Sequence, residues 1–414
     1  MASSRSPIIA ALDVGSSKMS CAVAVAEPGG YRIIGAATRR AHGLRKGAIT
    51  DMEAAESAIR SVVDMAERNA KTEIREVYVS LSGGTPASHT VGVEIAAPDR
   101  AIDDRDVQRL LRQAGARSEP GERAVLHAIP VGFALDGQTS ISDPRGMVGR
   151  RLGVNVHIAT ASSAAQRNLE NCVMRADLAP ADLVAGAYAA GLGALTWDER
   201  DLGTTVVDLG AGVTKVGMFR EGNLVHIDCI AIGGAHVTND VARILATSIE
   251  GAERLKTTRG GVYVGPQDDE VTIPVPSVGD GWTGGSNQMP LSLLIGVIRP
   301  RVEEILETVR ERIDSSGHAA MAGRKIVLTG GGSLLTGIDR LAQDILNKPV
   351  RIARPQGVSG MPEAMDNPAH TALAGCLAFA GRRLEARAQL SAAVPTQQRG
   401  GSIARFGRWL RENF

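Results

Sequence analysis

One short pattern occurs twice in this chain. Residues 8–25 read IIAALDVGSSKMSCAVAV, and residues 204–219 read TTVVDLGAGVTKVGMF. Each is an apolar run, then Asp-x-Gly with small residues, then a lysine and a second apolar run. Two apolar runs joined by a turn that Gly holds open predict a β-hairpin. Two matching hairpins, carrying Asp13 and Asp208, predict two similar lobes facing each other across a cleft.

The remaining chain is large enough for that plan, because 414 residues exceed one ordinary core. Aromatics make up only 3%, so the cores must rest on Val, Ile, Leu and Ala with close backbone approach. A net charge of +1 gives no bulk attraction to nucleic acid, and none is expected as a partner. Cys21, Cys172, Cys229 and Cys376 form no CxxC pair and are expected to be buried thiols in a reducing cytoplasm. No HExxH or His/Cys cluster predicts zinc. Residues 1–7 do not resemble a signal peptide. No window approaches the ~20 apolar residues that span a bilayer.

Between the hairpins, Asp51 is expected to cap a helix whose inner face is Ala55, Ala58, Ile59, Val62, Val63 and Ala66. Residues 77–82 read as a buried strand. Residues 84–160 read as an inserted α+β subdomain, with strands near 90–96, 125–135 and 154–160 around a helix at 104–114. Helices are expected at 162–176 and at 182–195, the latter Ala/Gly-rich with Asp182 as its cap. Residues 257–289 read as short strands and loops. A long helix over 291–313 should kink or restart at Pro300. A strand at 326–329, a helix at 333–346 and a final helix at 371–388 complete the second lobe. The expected division is 1–83 with 161–200 as the first lobe, 84–160 as the insertion, and 201–388 as the second lobe with 256–325 its outer part. Residues 389–401 form a linker, and 402–414 a terminal helix.

Three Gly-rich turns suit a nucleoside triphosphate together better than any does alone. They are Asp13 to Lys18 with Gly15, Ser16 and Ser17; Asp208 to Gly212 with Gly210 and Ala211; and Gly330, Gly331, Gly332 and Ser333. Turns without side-chain bulk let backbone N–H groups converge on phosphate oxygens, and the serine hydroxyls add donors. Asp13 and Asp208 can hold Mg2+ through its waters. A helix opening at Ser333 would add its dipole. No GxxxxGKS/T motif occurs, and the first turn lacks GxGxxG, which disfavours P-loop and dinucleotide folds.

This set of turns resembles the actin, Hsp70 and sugar-kinase superfamily, an α/β fold of two ribonuclease-H-like lobes clasping ATP. Residues 198–224, 230–245 and 252–256 (AERLK) resemble the bacterial division protein family FtsA more closely. So do 327–338 (VLTGGGSLLTGI), 350–355 and 42–59. The resemblance runs in order over 8–388 and includes the insertion, a subdomain distinctive of that family. It implies that Gly233 and Gly234 line the cleft near the ribose, and that Glu253 and Lys256 contact sugar and base. Read without the family, AERLK is an amphipathic helix piece with a solvated Glu/Lys pair.

Hydrolysis needs a side chain that positions the attacking water. Residues 182–195 supply no Glu or Gln, Ala211 and Val213 depart from the usual Gly and Thr, and Lys215 replaces an acid or neutral residue. No catalytic residue is assigned, and at most weak ATPase activity is expected, with ATP acting on conformation and assembly.

The last segment, SIARFGRWLRENF, gathers Ile403, Phe406, Trp409, Leu410 and Phe414 within an arc of about 160°. Arg405, Arg408 and Arg411 lie opposite, the composition of a helix bound at an anionic lipid surface. The resemblance implies a self-assembling adaptor at the cytoplasmic face of the inner membrane at the division site. Its partners would be the tubulin-like FtsZ and other division proteins, and Arg301 and Glu304 are the expected grip on the FtsZ peptide tail. The alternatives are a small-molecule kinase of this fold, a related pilus-assembly protein, and a chaperone ATPase. The kinase would have no use for the tail, and the chaperone would need a further peptide-binding domain.

Overall fold

The computed structural model describes residues 7–27, 29–116, 122–276, 287–320 and 323–392. The expected membrane helix and most of the linker lie outside these residues.

The hairpin echo is an echo of whole sheets. One sheet runs Ala179–Ala185, Glu76–Leu81, Ile8–Val14, Lys18–Glu27, Gly30–Arg40, with Val358–Ser359 beyond it. The other runs Val350–Ile352, Ile326–Thr329, Thr204–Leu209, Thr214–Arg220, Asn223–Ile230. In both, the hairpin strands and the third strand are antiparallel, and the two strands on the other flank are parallel. The central strands are buried almost throughout, which explains their unbroken apolar runs. This is the two-lobed, actin-like α/β architecture.

Helix Met52–Ala70 covers the first sheet. Asp51 caps it by accepting from Ala54 N at 3.1 Å, and its buried side is the six residues of the sequence pattern. Two helices run between the lobes, Gly186–Ala194 and Thr371–Ala392. They touch through small residues: a Cβ on Gly193 would strike the Thr371 carbonyl, and one on Gly375 the Ala189 carbonyl. The first of these helices starts later than expected. Residues 179–185 are a strand, and Asp182 is no cap but pairs with Arg383 at 2.9 Å.

The insertion is a four-stranded antiparallel sheet ordered Ala87–Ala96, Arg151–Ser162, Arg123–Leu135, Gln138–Ile141, with helix Asp104–Ala116 and a core of its own. Its fourth strand was not expected. Asp136 and Gly137 both take positive φ in the turn before it, the Asp-Gly signature of a tight hairpin. The insertion docks on both lobes. His127 Nε2 accepts from Ala185 N at 2.9 Å, and Ser88 Oγ accepts from Ile227 N at 3.0 Å.

Three helices, Gly234–Ile244, Ile249–Arg259 and Leu291–Ser315, form the outer part of the second lobe with the hairpin Thr272–Val275/Asn287–Pro290. Leu291–Ser315 is one helix, neither broken nor restarted at Pro300. Buried Leu294, Ile298, Val302 and Ile305 hold both sides of the proline on one core. The helix expected from Ser333 is instead a short 3-10 turn, Gly331–Leu334. The α-helix opens only at Ile338, after Gly337 takes φ 80°. The last helix reaches Ala392, past the expected linker start. The four cysteines are free thiols. No helix among the described residues is long and apolar enough to cross a membrane.

Candidate nucleotide cleft

The turns that follow the two central hairpin strands face each other. A Cβ on Gly212 would lie 2.5 Å from Ser16 Oγ and 3.0 Å from Lys46 Cα, so the lobes meet there only because residue 212 has no side chain. Ser16 Oγ accepts from Gly47 N at 2.8 Å, which ties the first turn to the neighbouring loop. The third turn closes the floor. Gly330 holds φ 82°, and a Cβ there would strike Asp208 Oδ1, so both the backbone and the space require glycine.

These turns enclose a cavity of about 270 Å³. Asp13, Gly15, Ser16, Ser17, Lys18, Asp208, Gly210, Ala211, Gly212, Gly234, Glu253, Lys256, Gly330, Gly331 and Gly332 all line it. Two expected residues do not. Gly233 lies behind the second turn, packed against the Gly210 and Ala211 carbonyls. Ser333 is buried and donates its hydroxyl to the Gly330 carbonyl at 2.7 Å. Both brace the turns rather than face the cavity. The first N–H groups of helix Gly234–Ile244 are also committed, Gly234 N to Gly210 O at 2.9 Å and Ala235 N to Ala211 O at 2.8 Å.

Lys256 and Glu253 are paired at 2.7 Å, and Lys256 Nζ also donates to Thr238 Oγ1 at 2.8 Å and Gly234 O at 3.1 Å. The pair therefore belongs to the cleft wall, not to a solvated face. A second hollow of about 490 Å³ adjoins it and shares Ser16, Ser17, Glu253 and Lys256.

The floor carries four charges. Asp208 Oδ2 and Lys215 Nζ are 2.7 Å apart with both side chains 7% exposed. Burial works against the Lys215 ammonium, but Asp208 and then Asp13 outweigh it and hold its pKa above the ordinary lysine value. Burial pushes the Asp13 carboxyl up, with Lys215 opposing. Burial pulls Lys18 down to about 8 against the pull of Asp13 and Asp208. Lys18 Nζ lies 2.9 Å from His370 Nε2. His370 is held neutral because burial and then Lys18 take its pKa down to about 3, so Nε2 can accept from the ammonium.

Sequence reasoning missed His370, the 368–372 segment on the wall, and the partnership of Lys215 with Asp208. A lone histidine before a helix carries no signal. Lys215 did carry one, because the hairpin register places it opposite Asp208.

The donor set fits Mg2+ only as an ion held through its waters. Asp13 and Asp208 both face the cavity, but Asp208 is already paired, and no group of three or more His, Cys, Asp or Glu among the described residues is placed to cage a metal. Arg301 and Glu304 lie elsewhere, on Leu291–Ser315. Arg301 is held by Asp240 at 2.6 Å and by Glu304, leaving Glu304 the more exposed of the two.

A family model described as Cell division protein FtsA matches residues 205–375, and another, the SHS2 domain inserted in FTSA, matches 83–160. The cell division protein FtsA of Rhizobium meliloti (strain 1021) is 39% identical over 424 residues, covering all of this chain and 96% of the relative. The chain belongs to the FtsA family. The FtsA of Escherichia coli (strain K12) is 30% identical over 98% of each chain. Among solved structures, the PilM-PilN type IV pilus biogenesis complex matches with a TM-score of 0.64 at 19% identity, over 90% of this chain and 98% of that one. MreB5 of Spiroplasma citri bound to ADP matches at 0.56 and 15%, over 92% and 98%. At those identities the likeness is one of fold, and the fold is that of actin-like proteins. This FtsA-family chain is thus a cell-division protein of actin-like architecture.

Proposed function

We propose that this FtsA-family chain binds ATP with Mg2+ in the cleft, self-assembles, and tethers FtsZ filaments to the cytoplasmic face of the inner membrane at the division site. The observation that supports nucleotide binding most strongly is the meeting of three Gly-rich turns, from both lobes, around one cavity floored by Asp13, Lys18, Asp208 and Lys215. Backbone N–H groups there can receive phosphate oxygens, and Lys18 supplies a cation. Bound Mg2+ would neutralise phosphate charge through waters on Asp13 and Asp208. Gly233 and Ser333 would support the turns, and Glu253 and Lys256 would meet the sugar and base.

Turnover is at most slow in this reading. The interlobe helix opens at Gly186, and the direction a side chain would take there is filled by Lys215. ATP then acts as an assembly ligand. FtsZ would dock on Leu291–Ser315, with Glu304 the accessible member of the Arg301 pair, and other division proteins would join the assembly. The segment 402–414 would lie on anionic lipid through Ile403, Phe406, Trp409, Leu410 and Phe414, with Arg405, Arg408 and Arg411 toward the headgroups. One copy binds reversibly, and a polymer binds through avidity.

Co-sedimentation with anionic liposomes tests this directly, using the full chain and a chain ending at Gly400, with and without ATP and Mg2+. Pelleting of the full chain alone, increased by ATP, is the expected result. Equal pelleting, or none, contradicts the tether.

A further inference from the structure

We propose that Lys215 is a built-in counter-cation of the cleft, so that this chain holds a nucleotide's phosphates with little dependence on a divalent cation. The inference rests on the nucleotide reading of the cleft and names what sets its metal requirement.

Three observations carry it. The hairpin itself does not need a lysine at this position. In the first lobe the residue opposite Asp13 is Ser20, which bonds Thr38 at 3.0 Å and leaves Asp13 without a cross-strand cation. In the second lobe the same position is Lys215, paired to Asp208 and also 3.4 Å from Ser82 Oγ in the opposite lobe. Room for the lysine is made by another residue. A Cβ on Gly186 would lie 2.9 Å from Lys215 Cδ and 3.1 Å from its Nζ, so an alanine there would crowd the side chain.

The consequence is a matter of charge. Two carboxylates alone would repel a polyphosphate, and a divalent ion is the usual remedy. With Lys18 and Lys215 the floor carries two carboxylates and two ammonium groups, formally balanced before any ion arrives. An Mg2+ ion must also compete with Lys215 for Asp208. Its contribution to nucleotide affinity is therefore small.

The test is ATP affinity of the full-length protein, measured by equilibrium dialysis in excess Mg2+ and in EDTA. The wild-type protein is expected to change by less than about threefold, because the resident ammonium replaces the ion's screening. Lys215→Met is expected to lose about tenfold or more in EDTA, with Mg2+ restoring most of it. Asp208→Asn/Lys215→Met, which removes one charge of each sign, is expected to return to near-wild-type binding in EDTA. A wild-type loss beyond about thirtyfold in EDTA overturns the proposal. So does a double variant as metal-dependent as Lys215→Met. If Lys215→Met does not fold, the wild-type and double-variant measurements decide. Failure of the wild-type protein to bind ATP even with Mg2+ overturns the nucleotide reading and this inference together, whereas metal-dependent binding overturns only the role of Lys215.

Discussion

In the first lobe the turn after Asp13 carries Gly15, Ser16, Ser17 and Lys18, and the residue across from the aspartate is serine. In the second the turn after Asp208 carries Gly210, Ala211, Gly212 and Val213, and the residue across is lysine. The strand orders around them match, so the backbone does not cause the difference. The first lobe keeps its cation on Lys18, the residue at which strand Lys18–Glu27 leaves the turn, where it reaches the cavity and His370. The second keeps its cation in the strand, locked to its own aspartate, and leaves the turn bare so that Ser16 and Lys46 can approach. A duplicated backbone thus divides the work: one turn presents side chains, the other presents space.

The largest expected effect separates the two cross-strand positions. Lys215→Ala leaves Asp208 buried and unpaired and should cost about 3–5 kcal/mol. Ser20→Ala loses one buried hydroxyl bond and should cost about 1 kcal/mol. Urea unfolding of the two variants measures both, and equal costs would erase the distinction between the lobes.

Next comes the space left by the second turn. Gly212→Val places methyl groups where Ser16 Oγ and Lys46 lie. ATP affinity should fall about tenfold or more, with a loss of stability of about 1–3 kcal/mol, because the side chain would overpack the contact between the two turns. Unchanged affinity would mean that the nucleotide does not require the turns in contact.

Acid, a change of conditions rather than of sequence, gives a third way to separate the lobes. Burial takes His127, His157 and His370 down to about 3, and all three sit in or against the first lobe and its insertion. Their unfolded pKa is about 6.5, so below that pH the unfolded chain binds protons that the folded one does not. Stability should therefore fall as pH drops from 6.5 toward 3, by up to about 1.4 kcal/mol per pH unit for each histidine. Hydrogen exchange at pH 5.5 against 7.5 should show the insertion and first lobe opening before the second. His157→Phe, which removes a ring with no hydrogen-bond partner among the described residues, should narrow the gap.

Much of the fold could be read from pattern. The paired hairpins, the helix capped by Asp51 and the strand Ile326–Thr329 rest on strong local signals: doubled apolar runs, a capping residue before helical spacing, and a short apolar run before three glycines. The misreadings have local causes. Residues 183–185 are apolar and border an Ala/Gly run, so strand and helix share one composition until the packing with Glu76–Leu81 decides. The α-helix opens at Ile338 rather than Ser333 because Leu335 is extended after the 3-10 turn and Gly337 takes a left-handed φ, which Gly permits but does not announce. At the site, the turns were legible because glycine has few other reasons to cluster there. Pro368, Ala369, Thr371 and Ala372 on the wall, and His370 beside Lys18, were not, because tertiary packing alone brings them there. Lys215 stood between: its register was readable, but its burial and the room left by Gly186 were not.

The central claim is that both lobes and all three turns clasp one nucleotide. Hydrogen exchange of the full-length protein with and without ATP tests it most directly. Joint protection of 13–18, 208–213 and 330–333 at a single ATP midpoint is the predicted result. Protection of one turn alone, or of none, would contradict the account.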